Sequence, residues 1–196
     1  MLIGIYSPVA GSGKSTVADY LITNHNFTRL SFAEPIKEMV RILLENFGYS
    51  PHSAHHMLYT CKHAPIPEID YRVDARHLLR TLGTEWGRQC VHPEIWLRCW
   101  TARYRRLIAD GYENIVVDDM RFLNEAALLY GSSAELWAIT RPGVEGSTEH
   151  ASEGGLDFML PPNDSTNDSS MSFTQILDNS GTLDELYSQI DNLLTL

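Results

Sequence analysis

The stretch richest in chemistry lies near the start of the chain: Gly11-Ser12-Gly13-Lys14-Ser15-Thr16. It directly follows the apolar run 2–6 and precedes a helical pattern in which Val17, Ala18 and Leu21 share a face. A strand, a glycine-rich turn and a helix, in that order, are what a phosphate-cradling loop requires. Gly11 and Gly13 let backbone N–H groups turn inward around phosphate oxygens, and the following helix adds the positive end of its dipole. Lys14 brings a charge to the β- and γ-phosphates of a nucleoside triphosphate, and the Ser15 hydroxyl is a ligand for Mg²⁺. Position 8, where the full pattern has its first glycine, is Pro8. Proline fixes φ and has no N–H, so the entry to the loop must differ. The alternative is a chance Gly-Ser-rich turn capping a helix; the order of the flanking elements argues against it.

A second reactive stretch is Ile115-Val-Val-Asp118-Asp119-Met-Arg121-Phe122, in which a buried strand ends on two acids and an arginine. A carboxylate here can hold Mg²⁺ or its waters opposite the loop hydroxyl. The planar fork of Arg121 matches two phosphate oxygens. Asp118 or Asp119 can instead cap the next helix; two adjacent acids allow one to cap and one to serve the metal. Arg141, at the end of another apolar strand, opens a stretch with Gly143, Gly146, Gly154 and Gly155.

The elements that must position these residues alternate. Strands are expected over 2–6, 28–32, 114–118, 135–140 and 173–177, and helices over 13–24, 35–46, 75–89, 93–110, 124–129 and 183–194. Residues 48–71, rich in Pro and His, read as an irregular excursion, with His52, His55 and His56 in a polar loop. Residues 161–172 read as a mobile loop. Alternation of this kind implies an α/β fold, a parallel sheet covered on both faces by helices, with ligands at the carboxyl ends of the strands. The chain's 196 residues suit a single domain with room for an insertion.

Composition removes several function classes. A net charge of -10 disfavours nonspecific binding to a nucleic acid polymer or an anionic membrane. No apolar run approaches the ~18 residues of a membrane span. Cys61, Cys90 and Cys99 are sparse and odd in number, which suggests a reducing compartment, and their spacing with His63 and His92 is not a usual zinc pattern. A soluble, cytoplasmic protein is expected.

Four stretches together resemble the bacteriophage deoxynucleoside monophosphate kinase family. They are Ala10-Gly-Ser-Gly-Lys-Ser-Thr16, Leu30-Ser-Phe-Ala-Glu-Pro-Ile-Lys37, Leu82-Gly-Thr-Glu-Trp-Gly-Arg88 with Trp96 downstream, and Val117-Asp-Asp-Met-Arg-Phe-Leu-Asn-Glu125. A fifth, His150-Ala-Ser-Glu153, resembles a segment that follows the arginine in the same family. The departures are Pro8, Ser15 where Asp is common, and Leu123 where Pro is common. The resemblance implies a P-loop kinase with a core sheet, an acceptor-binding insertion at about 33–110 and a lid at about 142–160. It implies ATP as phosphoryl donor, Mg²⁺, and a deoxynucleoside monophosphate as acceptor. Phe32, Lys37, Trp86, Arg88, Trp96, Asp119 and Glu153 then fall to the acceptor, with Lys14, Arg121 and Arg141 as charge stabilisers and Ser15 and Asp118 as the metal pair.

For several of these residues an ordinary structural role stands beside the functional one. Lys37 can be solvated, Arg88 can complement a helix dipole, and Trp86 and Trp96 can be core. Two other functions use the same core: a kinase of another small phosphorylated metabolite, and an acceptor-independent ATPase or nucleotide switch. The accepted base and the oligomeric state, a homodimer being one option, are not legible.

Overall fold

The computed structural model describes residues 1–9, 11–143, 155–156 and 172–195. His150, Glu153, most of the expected lid and residues 161–171 of the expected mobile loop lie outside the described residues. The chain divides into two compact units, Met1–Ser31 with Arg103–Leu196, and Phe32–Ala102.

The first unit is built on a five-stranded sheet in the order β2-β5-β1-β6-β7, with every pairing parallel. β1 (Leu2–Tyr6) is buried along its whole length, as expected of a central parallel strand. It lies between β5 (Ile115–Val117) and β6 (Glu135–Thr140), with β2 (Thr28–Arg29) and β7 (Gln175–Asp178) at the edges. Ile3, Ile5, Val116, Trp137 and Ile139 pack with Val17, Ala18 and Leu21 of α1 (Lys14–His25) and Leu186 and Ile190 of α7 (Leu183–Leu194). On the opposite face Gly4 lies against α6 (Leu123–Gly131): an added Cβ would stand 2.7 Å from Leu129 Cδ1. Both faces are thus helix-covered, as the alternation of strands and helices predicts. The strand expected over 28–32 is cut to two residues, Thr28 and Arg29, although Leu30 N still donates to the Val116 carbonyl at 2.9 Å.

The second unit begins with α2 (Glu34–Asn46) and has its own core of Val40, Leu44, Ala54, Met57, Leu58, Ile66 and Ala75. The excursion expected over 48–71 is more ordered than its composition suggests. Ser50 caps α3 (Pro51–Tyr59) by accepting from Ser53 N at 3.1 Å, and a proline at the first helical position completes the start signal. His52, His55 and His56 therefore stand on the exposed face of a helix, not in a loop. β3 (Pro65–Ile66) and β4 (Asp70–Asp74) form an antiparallel pair.

The helix expected over 75–89 also changes character. α4 (Ala75–Arg80) gives way to an eleven-residue π-helix, Thr81–Val91. Its wider turn brings Gly87 against Trp96, the second residue of α5 (Ile95–Ala109): a Cβ at Gly87 would lie 2.5 Å from the indole ring. The Trp96 Nε1–H donates to the Gly83 carbonyl at 2.7 Å, a buried bond that holds the π-turns open.

Candidate functional site

The phosphate loop leaves the carboxyl end of β1. Gly11 and Gly13 have φ of 76° and 109°, left-handed values at which a Cβ is strained. Gly13 caps α1, so the first free N–H groups of that helix open at the loop. Pro8 is accommodated by Ser7, whose buried side-chain oxygen accepts from Val9 N at 3.4 Å and makes good the altered entry. Ser12 is fully buried, and its hydroxyl makes no hydrogen bond among the described residues. A buried hydroxyl without a partner is disfavoured unless something is to bind it. Lys14 Nζ lies 3.5 Å from the Val9 carbonyl, folded back over the loop, while Ser15 is exposed and Thr16 half-buried in the first turn of α1.

The parallel register carries two further loops to the same edge of the sheet. Gly4 is opposite Val117 and Tyr6 is opposite Ala138, so the residues after β5 and β6 flank those after β1. Asp118, with its side chain 10% exposed, accepts from Ser31 Oγ at 3.1 Å and lies 3.3 Å from Arg29 Nε. Arg29 also reaches Asp19 of α1 at 2.9 Å. Asp118 is thus an oriented carboxylate anchored by the end of β2. Neither Asp118 nor Asp119 caps the next helix. Its N-cap is Phe122, and the buried Glu125 carboxylate accepts from the N–H groups of Arg121 and Phe122 at 2.8 and 3.1 Å. This fixes the backbone of Arg121 and leaves its side chain exposed. Across β1, Arg141 Nη1 donates to the Gly11 carbonyl at 3.4 Å, so a second cation lies against the loop.

Ser15 and Asp118 are hard oxygen donors, the type Mg²⁺ takes. Among the described residues no cluster of three or more His, Cys, Asp or Glu could hold a metal on protein ligands alone. Mg²⁺ keeps waters and phosphate oxygens in most of its positions, so two hard oxygen donors from the protein fit it.

In the second unit, Lys37 is not a solvated surface lysine. Its side chain is 17% exposed, its Nζ is 3.4 Å from Glu34 Oε2, and it stands 4.4 Å above the Tyr59 ring. Tyr59 in turn donates to Glu34 Oε1 at 2.7 Å. Phe32 is buried against Trp100. The two tryptophans part ways: Trp96 is core, as one of its two readings had it, while Trp86 keeps an exposed ring beside it on the π-helix, two residues before the half-buried Arg88.

The family model for deoxynucleotide monophosphate kinase matches residues 53–190. A protein of Acanthamoeba polyphaga mimivirus described as a deoxynucleotide monophosphate kinase is 30% identical, with 97% of this chain and 94% of the relative covered. The chain belongs to the deoxynucleotide monophosphate kinase family. The deoxynucleotide monophosphate kinase of Enterobacteria phage T4 is 22% identical, with 96% of each chain covered. The solved dephospho-CoA kinase of Campylobacter jejuni shares the fold at a TM-score of 0.50 and 13% identity, over 99% of this chain and 95% of that one.

Within this member of the deoxynucleotide monophosphate kinase family, Leu123 is the first residue of α6. A proline there, as the resemblance has it, would lose no helical hydrogen bond, so that departure is structurally neutral. Arg29, Ser31, Glu34, Tyr59 and Asn179 escaped the sequence reading. Ser31 and Glu34 lie inside the stretch Leu30–Lys37 without a role read for them, and Arg29, Tyr59 and Asn179 act through contacts that no local motif announces. For Tyr59 the one available signal was the Ser50-Pro51 helix start, which turns its neighbourhood into a helix.

Proposed function

We propose that the chain transfers the γ-phosphoryl group of ATP to a deoxynucleoside monophosphate, giving ADP and the deoxynucleoside diphosphate. The observation that carries this reading is the edge shared by β5, β1 and β6, where an oriented carboxylate, a phosphate loop and an arginine leave adjacent strands. Family membership supports the acceptor class.

Phosphoryl transfer asks little covalent chemistry of a protein. It asks for an acceptor oxygen held in line and for charge placed where the equatorial oxygens carry it. The N–H groups of Gly11, Ser12 and Gly13 and the start of α1 at Lys14, Ser15 and Thr16 cradle the donor phosphates. Lys14, Arg121 and Arg141 neutralise the transferring group. Ser15 and Asp118 would hold Mg²⁺, which supplies further charge at the β- and γ-phosphates when bound. Arg88 grips the acceptor phosphate through its bidentate fork, and Lys37, aimed by Glu34 and Tyr59, adds a second cation. Trp86 offers a face to the base, with the ring of Trp96 packed beside it. The acceptor phosphate is already ionised, so no strong general base is needed.

ADP release, measured with each deoxynucleoside monophosphate, each ribonucleoside monophosphate, unrelated phosphorylated metabolites and no acceptor, tests this reading. ADP should form only with nucleoside monophosphates, the deoxy forms included. Turnover at full rate without acceptor would make the chain an ATPase. Turnover with another metabolite alone would replace the acceptor class.

A further inference from the structure

The peptide joining Ser12 to Gly13 is held from below by a residue far along the chain. Asn179 follows β7 and is buried. Its Nδ2 donates to the Ser12 carbonyl at 2.7 Å, and its backbone N–H donates to the carbonyl of Thr140, the last residue of β6, at 2.8 Å. Its amide lies so close beneath the loop that a Cβ on Gly13 would stand 2.6 Å from Nδ2. In a trans peptide the C=O and the following N–H point in opposite directions. A donor that fixes the Ser12 carbonyl on one side therefore fixes the Gly13 N–H on the other.

We infer that Asn179 is a positioning residue for the donor nucleotide: its side-chain amide sets the Ser12–Gly13 peptide so that the Gly13 N–H faces the phosphates of ATP. The inference rests on the phosphate-loop reading above. A loop whose peptides are already turned toward the ligand loses no reorganisation energy on binding, which is the condition for preorganised N–H donors to be effective. The β6 end braces the loop twice, once through Asn179 on Thr140 and once through Arg141 on the Gly11 carbonyl. The Gly11 contact turns the next N–H, that of Ser12, by the same geometry. Asn179 suits the task because its amide donates without bringing a charge near the phosphates. A carboxylate of the same shape would set an acceptor against the Ser12 carbonyl and a negative charge close to the ligand.

Calorimetric titration of the full chain with ATP, and separately with each of the four deoxynucleoside monophosphates, tests this on Asn179→Ala and Asn179→Asp. Both variants should bind ATP about tenfold or more weakly, the scale of one lost hydrogen bond to an oriented peptide. Their affinity for the monophosphate should be unchanged, and Asn179→Asp should be the weaker ATP binder. Unchanged ATP affinity in the folded variants would overturn the inference. So would a parallel fall in both affinities, or failure of both variants to fold, since either would assign Asn179 to the fold alone. ATP binding needs no acceptor. If the wild-type chain binds ATP and phosphorylates no monophosphate, the acceptor assignment fails and the Asn179 test still reads out.

Discussion

At the scale of single residues, the account rests on three cations with different duties. Lys14 is expected to be needed for transfer and not for the fold: its Nζ is folded back on the loop, toward the Val9 carbonyl. Lys14→Ala should abolish phosphoryl transfer at saturating ATP while leaving the thermal unfolding temperature close to that of the parent. Near-parental turnover would remove the phosphate loop from the mechanism. Arg141→Ala should lower kcat by roughly 10²-fold or more, with a smaller loss of ATP affinity through the Gly11 contact, as expected of one preorganised charge stabiliser. A loss confined to ATP affinity would make Arg141 a loop brace only. Arg88→Lys should raise the KM for the monophosphate more than the KM for ATP, because a point charge cannot replace a bidentate fork. Equal changes, or none, would take Arg88 out of the acceptor site. Lys14 and Arg88 could be singled out because they lie in contiguous motifs, and Arg141 because it ends an apolar strand ahead of a glycine-containing stretch. Asn179 was not: it bonds to a residue 167 positions away, and an asparagine before Ser-Gly after a strand reads first as a turn. Arg29 and Ser31 were hidden in the same way, since only the pairing of β2 with β5 brings them to Asp118.

At the scale of elements, strong periodicity was legible and local irregularity was not. β1, β6 and α7 fall where alternation and the 3.6-residue period put them, because their apolar faces meet the sheet core directly. α3 was missed because histidines and serine obscure the buried Ala54, Met57 and Leu58, which do keep helical spacing. The π-helix could not have been read from its residues. Its buried positions, Gly83 and Gly87, are four apart, a spacing an α-turn also gives, and the Trp96 Nε1–H that donates to the Gly83 carbonyl comes from another helix. Gly87 is the position that makes this packing possible. Gly87→Ala should destabilise the chain by about 1–3 kcal/mol through overpacking against the Trp96 ring, read by urea unfolding followed with tryptophan fluorescence. It should also shift monophosphate binding, because Trp86 and Arg88 ride on the same turns. A neutral substitution would mean that the π-turns relax without consequence.

At the scale of the whole molecule, the order of the strands is the main determinant of function. Crossing from β1 to the β2 edge and back through β5, then on to β6, leaves β1 between two neighbours whose following loops flank its own. A parallel sheet of this order concentrates reactive groups from three distant segments of the chain at one edge. The net charge of -10 leaves the attraction of a small phosphorylated ligand to local cations. No helix among the described residues is long and apolar enough to cross a membrane. The central claim is direct transfer between two bound nucleotides, and the destination of the γ-phosphoryl group tests it most directly. ATP labelled in the γ-phosphate, incubated with the wild-type chain, Mg²⁺ and each deoxynucleoside monophosphate, should deliver its label to a deoxynucleoside diphosphate in step with ADP formation, and Lys14→Ala should deliver none. Label recovered as inorganic phosphate at the same rate with and without the monophosphate would contradict the account.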